Sequence, residues 1–326
     1  METLEHLTSC KLSGLLNEFL VQKRALGYKY VEQEYSLKRF ADFINAFKPQ
    51  GNRLSKEAVL EYCGRRVHET PKTQANRISD LRQFIAYLNA NGFEVYMPKL
   101  PRKQHSEYLP YVFTHTEMSS IISAADTLKN HSRYNCAEVY PVLFRVLYGC
   151  GLRISEALNL RICDVDLKEC TLTIRESKFK KSRLVVMDVS LTHVISRFLG
   201  EHCKLFAESD YLFKHRDGTR RSSEAVYECF RELLWKCSIP FRGRGFGPRL
   251  HDIRHTFCCH SLKKMSDAGI DMYCALPVLS AYVGHSGIAA TEKYLRLTEE
   301  FYPDVRSKVQ MAVPQVYPEV YVYEAN

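Results

Sequence analysis

The chain has 326 residues, 45% apolar and 25% charged, an ordinary globular composition with length for two domains, and no run of roughly 18 or more apolar residues that would span a membrane. Lys plus Arg number 46 against 37 Asp plus Glu, a formal charge of +9, which favours a polyanionic partner without naming one. Met1-Glu2-Thr3-Leu4-Glu5-His6 lacks the basic-then-apolar layout of a secretory signal and the twelve cysteines include no Cys-x-x-Cys pair, so a cytoplasmic protein with reduced, mostly buried thiols is expected.

Leu12, Leu15, Leu16, Phe19 and Leu20 recur at helical spacing, and Leu37, Phe40, Ala41, Ile44 and Phe47 form a second such face beyond Gly27-Tyr28. Ser55 is placed to cap a short third helix through Val59, Tyr62 and Cys63. Ile78, Leu81, Phe84, Ile85 and Leu88 mark a fourth, ended by Asn91-Gly92. Residues 1–97 therefore read as a small helical bundle. Lys72, Arg77 and Arg82, on or near the fourth helix, are candidate phosphate contacts, although a solvated helix face explains their pattern equally well.

Residues 98–110 form a linker, where Pro98 and Pro101 stand among cationic side chains that include the candidate DNA contacts Arg102 and Lys103. Thr114-His115-Thr116-Glu117 has the form of a capping box and opens a helix through Ile121, Ile122 and Ala125. An apolar helix from about Ala137 to Leu147 breaks at Gly149-Cys150-Gly151, and the next begins near Arg153. A glycine turn meeting a helix N-terminus presents free N–H groups and a positive dipole end, so Arg153 adds to an anion site, with Glu156 placed to orient its guanidinium.

Cys170 to Ile174 and Arg183 to Met187 suggest a β-hairpin whose tip carries Lys178, Lys180 and Lys181. Helices follow near Leu191 to Leu205 and Ser223 to Cys237. The loop that comes next sets Arg242, Arg244 and Arg249 among glycines, which suits close approach to a phosphate or, as readily, a plain flexible loop.

His251, Arg254 and His255 stand at i, i+3 and i+4, so one helix face directs all three at a single ligand, and an anion is the natural guest. Tyr294 follows His285 by nine residues, after a Gly284-His285-Ser286 break and the start of another helix. That is the layout of a tyrosine nucleophile aimed at a phosphate. The tail, 311–326, is rich in Val, Tyr and Pro and calls for an apolar surface on its own domain or a neighbour.

In the same order along the chain, Arg153, Lys178, His251, Arg254, His285 and Tyr294 resemble the active-site set of the tyrosine recombinase (phage integrase) family. Gly151-Leu152-Arg153-Ile154-Ser155-Glu156-Ala157-Leu158 looks like its first arginine box, and Ser177-Lys178-Phe179-Lys180-Lys181-Ser182-Arg183-Leu184 like its hairpin lysine motif. His251-Asp252-Ile253-Arg254-His255 matches its His-x-x-Arg box, and Val283-Gly284-His285-Ser286 with Tyr294 its last box. The chain departs from compact members between Arg254 and His285, where Met265 to Tyr282 is longer.

The resemblance implies a mainly helical α+β protein with a small antiparallel sheet, a two-domain DNA clamp: a core-binding domain at 1–97, the linker, a catalytic domain at 111–310, and the tail as a candidate intersubunit contact. It implies site-specific recombination through a 3′-phosphotyrosine. Arg153 and Arg254 would hold the nonbridging oxygens, Tyr294 attack phosphorus, and His251 move the tyrosine proton or bond the phosphate. Lys178 would protonate the departing 5′ oxygen and His285 donate to a nonbridging one, with Glu156 and His255 in support. No metal or cofactor is required. The implied partners are double-stranded DNA, three further copies of the chain in a synapse (a monomer or weak dimer when free), and an accessory DNA-bending or directionality factor.

Two other enzyme chemistries fit less well. His251 and His255 also have the spacing of a His-Glu-x-x-His zinc protease, but aspartate replaces the general-base glutamate and Arg254 would repel the metal. A topoisomerase-like enzyme acting on one duplex uses nearly the same residues. A DNA-binding relative that no longer cleaves would be expected to have lost Tyr294 or an arginine.

Overall fold

The computed structural model of the chain describes residues 9–47, 54–102, 110–130, 135–175, 182–204, 206–241, 243 and 247–285. Two compact units are present, Met1–Glu107 and Tyr108–Asn326. In the first, helices α1 (Ser9–Ala25), α2 (Val31–Ala46), α3 (Lys56–Cys63) and α4 (Pro71–Ala90) turn their apolar stripes onto a shared core that buries Phe19, Phe40, Val59, Leu81 and Phe84. Ser55 caps α3 as expected, its hydroxyl accepting from the Ala58 N–H at 3.2 Å. Helix α4 begins at Pro71, ahead of the apolar stripe that starts at Ile78, because Thr70 accepts from the Thr73 N–H at 3.1 Å and proline suits the first helical position.

Arg77, a candidate phosphate contact by sequence, is buried in an ion pair. Its side chain is 6% exposed and donates to the Glu69 carboxylate at 2.8 and 2.6 Å and to the Gly64 carbonyl at 3.0 Å, with its guanidinium 5.0 Å from the Tyr62 ring centre. Arg82 is half-buried and donates to the Pro98 carbonyl, while Lys72 and Arg102 are exposed.

The second unit contains α5 (His115–Asp126), α6 (Cys136–Cys150), α7 (Ile154–Asn159), α8 (Val189–His202), α9 (Ser223–Lys236), α10 (Asp252–Asp267) and α11 (Met272–Val283). With them is a three-stranded antiparallel sheet, β1 (Val165–Asp166), β2 (Thr171–Ile174) and β3 (Arg183–Val186), in that order. The Thr114 capping box forms in both directions, at 3.1 and 2.8 Å. Strand β1 was not expected; two residues are too few to show alternation. In β2 and β3, Leu172, Ile174 and Val185 face the core while Leu184 and Val186 face outward.

Between Arg254 and His285 the chain turns from α10 into a further helix. Helix α10 ends at Asp267, Gly269 turns the chain with φ +78, and Asp271 caps α11 by accepting from the Tyr273 N–H at 2.6 Å. Ala275, Leu279 and Val283 of α11 pack on Cys258, Cys259 and Leu262 of α10, so the adjacent cysteines are packing groups. Among the described residues no cysteine is in a disulfide, and no helix is long and apolar enough to cross a membrane.

Candidate active site

Gly151 ends α6 in the left-handed conformation, φ +58, and a Cβ placed there would lie 2.2 Å from a ring carbon of Phe257 on α10. Glycine thus permits both the turn and the close approach of α10 to it. Arg254 in the first turns of α10 then reaches the Gly151 carbonyl with Nη1 at 2.7 Å, beside the start of α7 where Arg153 stands.

The C-terminus of α11 organises the cations. The last carbonyls of a helix lack intrahelical donors and carry the negative end of its dipole. Here three consecutive carbonyls receive three arginines: Tyr282 from Arg183 Nε at 2.9 Å, Val283 from Arg254 Nη2 at 2.6 Å, and Gly284 from Arg153 Nη2 at 3.1 Å. Gly284, at φ +70, then turns the chain out of the helix and presents His285.

Glu156 is the second anchor. Its carboxylate accepts from Arg153 Nη1 at 2.7 Å, from Arg183 Nη1 and Nη2 at 3.0 Å each, and from the Arg153 backbone N–H at 3.0 Å, while Arg254 Nη1 lies 3.7 Å away. Burial alone would raise its pKa, but the hydrogen bonds and charges of Arg183 and Arg153 outweigh that and hold it at about 2. At the start of α7 the Arg153 N–H is thus taken by Glu156. Three guanidiniums facing one carboxylate leave the cluster positive.

Three histidines surround it. Desolvation of the ring, then the charges of Arg254 and Arg153, lower His251 to about 4, although the residue as a whole is solvent-exposed. Burial and His251 lower His255 to about 3, and burial with Arg254 lowers His285 to about 4. His251 meets His255 edge to face, with centroids 4.9 Å apart. All three are neutral near pH 7, so each offers one nitrogen to donate and one to accept. Among the described residues no group of three or more His, Cys, Asp or Glu side chains is placed to hold a metal ion.

The structure thus gathers Arg153, Glu156, His251, Arg254, His255 and His285 into one locus. Lys178, Lys180, Lys181, Tyr294, Arg242, Arg244 and Lys103 lie outside the described residues. Arg249 is half-buried, its backbone N–H bonded to Asp252 at 2.8 Å. Arg183 was not anticipated as a site residue. A signal was present: it shares the parity of Val185, and a cation on the inward face of a strand requires an acid to meet it.

Residues 111–300 match the model of the phage integrase family. A Sinorhizobium fredii protein named as an integrase/recombinase, y4rB, is 31% identical over 311 residues, 90% of this chain and 96% of its own. The tyrosine recombinase XerA of Pyrococcus horikoshii is 25% identical over 300 residues, 92% of this chain and 94% of its own. Among solved structures, the XerH site-specific recombinase bound to difH substrate superposes with a TM-score of 0.63 at 18% identity, over 88% of this chain and 82% of that one. A lambda integrase dimer bound to a COC′ core site gives 0.62 at 14% identity, over 89% and 77%. At such identities these two likenesses are ones of fold.

Proposed function

The chain belongs to the phage integrase family of tyrosine recombinases, and from that premise we propose how its residues divide the chemistry of site-specific DNA recombination. The observation that carries the proposal is the convergence of Arg153 and Arg254 on the C-terminus of α11, eleven residues before Tyr294, with three neutral histidines beside them.

In this scheme the Tyr294 oxygen attacks phosphorus and the bond to the 5′ oxygen breaks, leaving a 3′-phosphotyrosine that a 5′-hydroxyl of a second strand reverses. Arg153 and Arg254 stabilise the charge on the nonbridging oxygens, where preorganised cations act most strongly. His251, neutral at working pH, takes the tyrosine proton; Lys178 supplies one to the leaving 5′ oxygen; and His285 donates to a nonbridging oxygen. His255 supports His251 through their edge-to-face contact, and Glu156 fixes the Arg153 guanidinium. With charge met by side chains, the chemistry calls for no metal or cofactor.

DNA is the partner, and Lys72, Arg102, Lys103, Lys180, Lys181, Arg242, Arg244 and Arg249 are proposed to meet its phosphates, together with the half-buried Arg82. Residues 1–97 and 111–310 act as the two halves of a clamp joined by 98–110. Four protomers hold two duplexes, 311–326 contacts a neighbouring protomer, and an accessory DNA-bending or directionality factor assists. The reaction takes place in the cytoplasm.

A plasmid carrying two copies of DNA flanking the gene tests this. Metal-free exchange between the copies is the expected outcome. Relaxation without exchange would favour a topoisomerase-like enzyme, and binding without cleavage a relative that has lost the reaction.

A further inference from the structure

We propose that Arg183 is a positioning residue for strand cleavage: by bridging Glu156 and the Tyr282 carbonyl it holds the lysine-bearing hairpin and the two phosphate-facing arginines in one frame. The inference rests on the recombinase reading and adds a residue to it.

Arg183 pairs with Ile174 in the last register step of the β2–β3 ladder before residues 176–181, which include Lys178. Its side chain is 12% exposed. Both terminal nitrogens meet the two oxygens of Glu156 in parallel, and Nε is committed to Tyr282, a planar three-point contact that a lysine ammonium cannot reproduce. The Tyr282 hydroxyl completes the tie, donating to the Val186 carbonyl at 2.8 Å, so both ends of β3 are fastened to the last turn of α11. Gly284 keeps room for the contact: a Cβ there would lie 2.9 Å from Arg183 Nη1.

The consequence for the reaction follows from what Glu156 does without Arg183. The carboxylate is faced by Arg153 from its own helix, Arg183 from β3, and Arg254 and His251 from the start of α10. With Arg183 gone, its freed oxygens compete for the Arg254 and Arg153 donors that would otherwise face phosphate. The Arg183 end of β3 is freed from α11 in the same step, while the Tyr282–Val186 bond remains. A misplacement of about 1 Å at a reacting group is enough to cost roughly 10²-fold in rate.

The test uses the full chain and a nicked duplex that traps the covalent intermediate, with single-turnover cleavage followed from about pH 5 to 9. Wild type, Arg183→Ala and Arg183→Lys are compared, with DNA binding and thermal unfolding measured for each. Cleavage is expected to fall about 10²-fold in the alanine variant and about 10-fold in the lysine variant, with DNA binding unchanged within about twofold. The alanine variant should also lose further rate toward low pH, because burial of Glu156 is then less opposed and the carboxylate protonates within the measured range. Partial recovery of both features in Arg183→Lys would mark the charge as the agent.

Should Arg183→Ala fail to fold, Arg183→Lys decides by the same measurements. Wild-type rate and pH profile in a folded, DNA-bound variant would overturn the proposal. So would a slower reaction whose pH profile is unchanged and whose loss is matched by a lower melting temperature, since that assigns Arg183 a structural role only. If wild type itself forms no Tyr294-dependent adduct, the recombinase reading fails, and the role of Arg183 falls with it.

Discussion

Arg254 on α10 donates to the carbonyl of Gly151 at 2.7 Å, so the second arginine box is fastened to the turn from which the first one projects. Gly151→Ala would place a Cβ 2.2 Å from Phe257 at φ +58. A left-handed residue with a Cβ costs about 1–2 kcal/mol and overpacking about 1–3 kcal/mol, so the variant should melt several degrees lower and lose cleavage with it. Thermal unfolding checks this, and an unchanged melting temperature would show that α10 does not depend on the turn.

Glu156→Gln keeps the shape of the side chain but replaces one acceptor oxygen with a donor that points at a guanidinium. Breaking a buried charge pair on one side costs about 3–5 kcal/mol, and here Arg153 and Arg183 both lose their carboxylate. Single-turnover cleavage should drop by about 10²-fold while binding to DNA is kept, because the cations proposed to meet DNA phosphates are other residues. Gel-shift and cleavage assays on one preparation separate the two effects.

Acid should unfold the catalytic unit in a defined window. His251, His255 and His285 titrate at about 4, 3 and 4 in the folded protein and near 6.5 when unfolded, so the unfolded chain binds protons that the folded one refuses. Stability from these groups is complete above about pH 6.5 and falls as pH drops toward 4. Glu156, held at about 2, adds stability that is complete above its ordinary value and lost as pH falls toward 2. Melting temperature should therefore decline from pH 7 to 5, and His255→Gln should flatten that slope. A flat profile in wild type would contradict the lowered histidines.

The first unit offers a contrast between two cations. Arg77→Ala removes the partner of a buried Glu69 and should destabilise the unit by about 3–5 kcal/mol. Lys72→Ala, at an exposed site, should leave stability alone, weaken DNA binding evenly across sequences and reduce the salt slope by about 1. Denaturant titration and salt-dependent binding tell the two apart.

Much of the frame was legible from side-chain identity. Ser55 and the Thr114–Glu117 pair announce their helices because a cap needs a particular oxygen at a particular step. The start of α4 was readable in Thr70-Pro71 but masked by an apolar stripe that begins at Ile78. Arg77 looked like a surface charge because spacing along α4 says nothing of Glu69, which lies before the helix and folds back on it. At the site, Arg153, His251, Arg254 and His285 show themselves by type and order. What joins them does not: the carbonyls of residues 282–284 are backbone groups, and any sequence that ends a helix there presents them.

The most direct test of the central claim is the tyrosine. Wild type and Tyr294→Phe would be incubated, without added metal, with a duplex nicked just downstream of a candidate cleavage site drawn from DNA flanking the gene, so that a short fragment escapes and the intermediate accumulates. A protein–DNA adduct on a denaturing gel, present in wild type and absent from Tyr294→Phe, is the expected result. An adduct that persists in Tyr294→Phe would mean that another residue attacks the phosphate, and would contradict the scheme at its first step.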